Sequence, residues 1–322
     1  MNVLSLFDGM SCGQIALDQL NIPVENYFAA EIDKYAIKVA TANFPDMIQL
    51  GDVREIKTVR GWKPDDPHCM LDEFNFGHKI DLLIGGSPCQ GFSFAGKQLN
   101  FYDPRSKLFW EYVRLLKALK PKYFLLENVR MKQESMDVIT DALGVEPVAI
   151  NSNLVSAQNR HRLYWTNIPM DGLPEDKGIK LKDILEDGCT DRDKSHCIDA
   201  NYFKGGNLKS YFEKHRRQLV FSEDGMCHVG DAGISDKYAY VNRVYHPDGK
   251  GPSLVASTGG HLQPKISKGT TEYRKLTPLE CERLQTVPEG YTNHVSNTQR
   301  YRMLGNGWTV DVIKHIMKGL TQ

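Results

Sequence analysis

The stretch Ile80-Asp81-Leu82-Leu83-Ile84-Gly85-Gly86-Ser87-Pro88-Cys89-Gln90-Gly91-Phe92-Ser93 decides how this chain is read. Its apolar run over residues 80–84 is short, carries isoleucine at both ends and is bounded by glycine, which predicts a strand buried in a parallel sheet. Gly85 and Gly86 permit a tight turn where a side chain would collide with backbone. Pro88 then fixes φ ahead of Cys89, so the thiol leaves the strand end in a set direction. Open α/β sheets hold their ligands at the carboxyl ends of parallel strands. A cysteine presented there, before a glycine- and polar-rich loop over residues 90–100, has the setting of a reactive thiol rather than of a buried structural one.

The 322 residues leave room for one large domain and a smaller one. A hydrophobic content of 41% with 25% charged residues is that of a soluble globular chain. Forty basic residues balance forty acidic ones, so any basic surface must arise from arrangement rather than excess. No apolar run reaches the length of a membrane span, and a strand begins at once with Val3-Leu4-Ser5-Leu6-Phe7, where a leader would otherwise stand. The expected location is cytoplasmic, with no membrane partner. Seven cysteines without paired spacing predict reduced thiols.

Upstream of the organising stretch, the strand over residues 3–7 runs into the turn Asp8-Gly9-Met10-Ser11-Cys12-Gly13 and a helix over 14–20. Strand, glycine turn and helix present backbone N–H groups to a ligand. The spacing is not Gly-x-Gly-x-x-Gly, which excludes a nicotinamide oxidoreductase. A second strand, Tyr27-Phe28-Ala29-Ala30, ends in Glu31, a carboxylate placed to hold two ribose hydroxyls, while Asp33 caps a helix Lys34–Asn43. Asp52 and Val53 follow Gly51 after the next strand. Residues 58–79 form a polar insertion whose His68, Cys69 and His78 do not match zinc-ligand spacing, so no metal is expected.

Downstream, Arg105-Ser106 precedes an amphipathic helix over 107–120 with Leu108, Tyr112, Leu115, Leu116 and Leu119 on one face. A buried strand over 123–126 then ends in Glu127-Asn128-Val129-Arg130, a second carboxylate beside the strand of Cys89. Helix Gln133–Leu143 and a strand over 147–151 follow. In Gln158-Asn159-Arg160-His161-Arg162 an extended backbone puts both arginines on one side; a solvated basic edge is the alternative. Beyond Gly188 the chain turns irregular, with a basic helical piece over 209–218. Arg243 and the run Thr258-Gly259-Gly260 suit a loop entering a nucleic-acid groove, or a plain glycine turn. Thr277, Pro278 and Glu280 spell a capping box at the start of a helix.

These motifs, in this order from Val3 to about Leu320, resemble those of the DNA (cytosine-5) methyltransferases. Gly-Gly-Ser-Pro-Cys-Gln with Gly-Phe-Ser resembles the nucleophile loop, Glu127-Asn128-Val129 the acid motif, and Arg302-Met303-Leu304-Gly305-Asn306-Gly307-Trp308-Thr309-Val310 the closing motif. The resemblance implies a doubly wound α/β domain with a mixed sheet, of the S-adenosylmethionine-dependent methyltransferase type, and a smaller target-recognition domain. It divides the chain into a catalytic part over 1–187, recognition over 188–272, a hinge over 273–299 and a return to the catalytic domain over 300–322.

It implies catalysis by Cys89, Glu127, Arg160 and Arg162, with Arg162 reaching cytosine O2. It implies cofactor contacts from Phe7, Asp8, Gly9, Ser11, Cys12, Gly13, Glu31, Ile32, Asp52, Val53, Ser87, Pro88, Leu108, Asn306, Trp308 and Thr309, and double-stranded DNA held by Gln90, Ser93, Arg105, Asn128, Arg243, Thr258, Gly259 and Gly260. A monomer or weak dimer is expected. Ser11 stands where bacterial members carry glycine, and Ile32 where many carry an aromatic ring. Ser11 and Gly307-Trp308 resemble the mammalian de novo branch. Methylation of transfer RNA by the same fold is one alternative, but its Pro-Pro-Cys and Cys-Phe-Thr signatures are absent. An inactive DNA-binding homologue is another, against which the intact Cys89, Glu127 and Arg162 speak.

Overall fold

The computed structural model describes residues 1–56, 79–87, 107–222, 228–231, 243–245 and 273–321. Cys89 and its loop, the insertion after residue 57, and the Thr258-Gly259-Gly260 run lie outside the described residues, as do Pro88, Gln90, Ser93 and Arg105. Arg243 is described in its backbone alone.

The chain builds β1 (Asn2–Leu6), α1 (Cys12–Gln19), β2 (Asn26–Ala30), α2 (Lys34–Asn43), β3 (Ile48–Gln49), β4 (Leu82–Gly85), α3 (Lys107–Leu119), β5 (Tyr123–Val129), α4 (Gln133–Leu143), β6 (Val148–Asn151) and β7 (His161–Thr166). These strands form one seven-stranded sheet in the order β3-β2-β1-β4-β5-β7-β6. All its pairings are parallel except those of β7, which runs antiparallel to both neighbours. This is the mixed, doubly wound sheet expected, and its order reverses between β1 and β4, the point at which such sheets open a ligand crevice.

Period-two alternation assigns each strand residue to one of two cores. Val3, Tyr27, Ala29, Leu82, Ile84 and Leu125 pack on one face with Ile15 and Leu17 of α1. Leu4, Leu6, Phe28, Leu83, Phe124 and Leu126 pack on the other with Phe109, Tyr112 and Leu115 of α3 and Ile139 of α4. Burial on both faces explains why β1 and β4 read as unbroken apolar runs. Asp33 caps α2 as expected, accepting from the Tyr35 and Ala36 amides at 2.8 and 3.4 Å.

The later chain contributes α5 (Leu208–Lys214), β8 (Leu219–Phe221), β9 (His228–Asp231), β10 (Arg243–Tyr245), β11 (Tyr273–Lys275), α6 (Pro278–Leu284), α7 (Asn297–Asn306) and α8 (Val310–Met317). The basic helical piece read over 209–218 is shorter, because His215 and Arg217 take left-handed φ of 48° and 59° and break it. The α6 capping box is present, with the Glu280 amide donating to Thr277 and the Thr277 amide to Glu280. Antiparallel β8 and β11 carry the chain out toward residue 222 and back at 273. Val310, Val312, Ile313 and Ile316 of α8 return to the core shared with α1.

Helix α7 is not among the elements expected from the sequence, and it carries a glycine at 305. A Cβ at position 305 would collide with the Asp199 carbonyl group, which the helix crosses in close contact. Among the described residues no helix is long and apolar enough to cross a membrane, and no group of three His, Cys, Asp or Glu could hold a metal. Among the described residues Cys12, Cys197 and Cys281 are free, but Cys189 is disulfide-bonded, against the expectation of thiols throughout. Gly305→Ala is expected to lower stability by about 1–3 kcal/mol, the cost of overpacking against backbone that cannot yield. A fall in the urea midpoint at constant slope would register it.

Candidate active site

A cleft of about 910 Å³ opens at the carboxyl ends of β1, β2, β4 and β5. Phe7, Asp8, Gly9, Cys12, Glu31, Ile32, Asp52, Val53 and Leu108 line one part, and Gly86, Ser87, Glu127, Asn128, Arg160, Arg162, Asn306 and Trp308 line the other. These members of the expected cofactor and catalytic sets therefore face one space.

The first turn builds its wall with a strained backbone. Phe7, Gly9 and Ser11 have φ of 57°, 59° and 64°, left-handed values that two non-glycine residues adopt here at a cost. Ser11 offsets part of it by donating from its hydroxyl to Asp8. Glycine would adopt this left-handed backbone at position 11 without that cost. Ser11 is fully buried and Gly13 packs against Ile84 and the Tyr27 hydroxyl, so neither lines the cleft. Their expected cofactor contacts are corrected to a supporting role.

Glu31 ties the second strand to this turn. Its Oε2 accepts from the Gly9 amide at 2.8 Å, and its Oε1 from the Ile32 and Asp33 amides at 2.8 and 2.9 Å. The carboxylate is fixed yet keeps acceptor capacity toward the cleft. Ile32 is 71% exposed beside it, an apolar surface offered rather than buried. Asp52 accepts from the Arg54 amide at 2.9 Å and pairs with its guanidinium, which holds its carboxyl below the ordinary value.

The second part of the cleft is set by register. In the β4–β5 ladder Gly85 is opposite Leu126, so Glu127 is the first residue of β5 beyond the end of β4. The sequence placed Glu127 just after its strand, but β5 continues to Val129 because β7 pairs with it there. That pairing sets Arg162 opposite Val129, and the Arg162 Nε stands 2.9 Å from Glu127 Oε1. Trp308 Nε1 donates to Glu127 Oε2 at 3.0 Å. Asn128 donates its amide to the Ser87 hydroxyl at 3.1 Å, fixing the last described residue before Pro88 and Cys89.

Three further expectations are corrected. Asn128 is 1% exposed with both ends of its amide used internally, so its side chain holds Ser87 rather than DNA. Thr309 is equally buried, accepting from the Ser152 hydroxyl and donating to Gln285, away from the cleft. Arg160 is buried, and its guanidinium is spent on the carbonyls of Ile198, Gly305 and Gly307 and on Cys197 Sγ. It joins the walls of the cleft and has no donor pair left to grip a base. The segment 197–200 also lines the cleft, and no motif in the sequence marks it.

Fold and site define a doubly wound α/β enzyme domain whose cleft joins a carboxylate-anchored ligand pocket to a clamped glutamate. The chain belongs to the C-5 cytosine-specific DNA methylase family, whose model matches residues 1–322. It is similar to the orphan methyltransferase M.SPRI of Bacillus phage SPR, with 35% identity over 99% of this chain and 97% of that one. It is also similar to the type II methyltransferase M1.ScrFI of Lactococcus lactis subsp. cremoris, with 28% identity over 99% of this chain and 78% of that protein. Among solved structures, the methyltransferase EhMeth of Entamoeba histolytica superposes with a TM-score of 0.62 at 15% identity, covering 99% of this chain and 97% of that one. The chain is accordingly a DNA cytosine-5 methyltransferase, an enzyme.

Asp8 supplies a measurable signature of this architecture. It accepts from Tyr27 at 2.7 Å and from Ser11, both buried, and desolvation raises its carboxyl from 3.8 to about 6 against the lowering effect of these hydroxyls. Between those values the folded state holds a proton that the unfolded state has lost. Stability contributed by this group therefore falls as pH rises through the window. In Asp8→Asn, unfolding free energy relative to the parent is expected to rise across the same interval and to stay level outside it, as urea titrations at several pH values would show.

Proposed function

We propose that this cleft transfers the methyl group of S-adenosylmethionine to C5 of a cytosine turned out of duplex DNA, with Cys89 as nucleophile. The observation that carries the reading is the convergence of three strand ends. Ser87, which precedes Pro88 and Cys89 in the chain, is held by Asn128, the neighbour of Glu127, which Arg162 clamps. The turning out of the base costs a few kcal/mol, roughly that of unstacking and unpairing one nucleotide.

Cytosine C5 is a poor nucleophile. A thiolate at Cys89 adding to C6 forms the S–C6 bond and drives the ring electrons to C5, which is the covalent solution to that problem. Glu127 stabilises the charge that the ring gains by donating a proton to N3, which it takes back as Cys89 leaves, and Arg162 near O2 stabilises the same charge. After C5 has accepted the methyl group, loss of its proton to a base re-forms the double bond and expels Cys89 as thiolate. When bound, S-adenosylmethionine would supply the electrophilic methyl, its S–CH3 bond breaking to leave S-adenosylhomocysteine.

The residues present fit that cofactor. Glu31 suits the ribose hydroxyls, Ile32 and Val53 the faces of the adenine, Asp52 its amino group, and Phe7, Gly9 and Cys12 the methionine end. The cleft volume of about 910 Å³ lies within the range for such ligands. Residues 188–272 are proposed to choose the DNA sequence, since the chain leaves and returns through β8 and β11.

Glu31→Ala is expected to weaken S-adenosylmethionine binding by about 1–3 kcal/mol, the cost of a charged hydrogen bond, measured by calorimetry. Unchanged affinity would place the ribose elsewhere. A duplex carrying 5-fluorocytosine cannot lose its C5 substituent as a proton, so it should trap a cofactor-dependent adduct on the peptide containing Cys89. Cys89→Ala should abolish both the adduct and methylation of plasmid cytosines read by bisulfite sequencing. Methylation that survived Cys89→Ala, or an adduct on Cys12, Cys69 or Cys281, would refute the assignment.

A further inference from the structure

Glu127 is held at both oxygens before any base arrives. Arg162 Nε stands 2.9 Å from Oε1, and Trp308 Nε1 donates to Oε2 at 3.0 Å. The two partners come from distant chain segments, β7 and the junction of α7 with α8. Gly86 is the third member of the arrangement. A Cβ there would stand 2.9 Å from Trp308 Nε1 and 3.0 Å from Glu127 Oε2, so a side chain would wedge into the bond itself. The φ of Gly86 is not left-handed, and its lack of a side chain is explained by this approach rather than by a turn.

We propose that Trp308 is a positioning residue for methyl transfer, its indole N–H holding the Glu127 carboxyl in the plane that meets the N3 edge of the flipped base. The inference rests on the function proposed above and adds to it a role for Trp308 distinct from contact with the cofactor. A carboxylate presents about four lone-pair sites over its two oxygens, and Arg162 and Trp308 occupy one on each. One site on each oxygen remains, one to accept from the exocyclic amine of cytosine and the other to carry the proton given to N3. With the carboxyl already oriented, no ordering of Glu127 is left for the chemical step. Arg160 extends the same device. Its 2.8 Å bond to the Gly307 carbonyl fixes the backbone one residue before Trp308, and its other bonds anchor that backbone to Gly305 and Ile198.

The test separates this role from cofactor contact. Trp308→Phe keeps an aromatic ring in the cleft and removes the N–H. It is expected to lower kcat for methylation of duplex DNA about tenfold, with KM for S-adenosylmethionine within about twofold of the parent. Gly86→Ala leaves both partners in place and parts them, and it should lower kcat by a similar factor. Because both changes act on one hydrogen bond, the double variant should be little slower than either single one, whereas independent effects would multiply.

Calorimetric affinity for S-adenosylmethionine reports folding of each variant. Parental kcat in Trp308→Phe would overturn the inference. So would a raised KM for the cofactor at unchanged kcat, a joint loss of kcat and cofactor affinity, or multiplicative losses in the double variant. Absence of cytosine methylation by the parent protein would instead remove the function on which the inference is built.

Discussion

The buried guanidinium of Arg160 is the interaction on which the cleft depends. It stands just before β7 and reaches the carbonyls of Ile198, Gly305 and Gly307 together with Cys197 Sγ. A buried charge is costly unless its donors are all satisfied, and here the acceptors are carbonyls left over where α7 ends. The arrangement also suits the helix dipole, whose negative end lies at those carbonyls. One side chain thus joins the sheet, the segment 197–200 and the entry to α8, which are the walls facing the strand ends. Gln285, the residue after α6, repeats the device, donating to the Leu304 and Gly307 carbonyls at 2.6 and 3.1 Å.

Against that fixed wall the sheet presents its chemistry by register. β5 outruns β4 because β7, its antiparallel neighbour, continues the ladder to Val129. The overhang carries Glu127 and Asn128 past the end of β4, with alternation sending one to Arg162 and the other to Ser87. The reversal of β7 is therefore functional as well as topological. A parallel strand in its place would enter the ladder from the other end and could not set Arg162 opposite Val129.

The opposite end of the cleft is held by strain and by burial. Left-handed φ at Phe7 and Ser11 is tolerated because Glu31 and Asp8 bond into the turn from below, and Tyr27 anchors Asp8 in turn. Cys12 lies at the seam of the two parts, near Trp308, and burial pushes its thiol up to about 12. It is thus an inert wall rather than a second nucleophile.

Much of this was legible in the chain itself. The apolar runs at residues 3–7 and 80–84 declared buried parallel strands, because strands covered on both faces cannot alternate. Asp33 and the Thr277 to Glu280 box declared helix starts, because capping is a local interaction between residues a few positions apart. Glu31 and Glu127 were visible as carboxylates at strand ends, and both line the cleft. What the chain could not declare depends on contacts between distant segments. Helix α7 contains a glycine whose reason is the Asp199 backbone more than a hundred positions away. The overhang of β5 depends on β7, and the roles of Arg160, Asn128 and Thr309 depend on which way a buried side chain turns. The sequence determined which groups are chemically able to act; only the tertiary structure decided which of them face the cleft and which hold its walls, because spacing along a strand gives a side chain's face but not its partner.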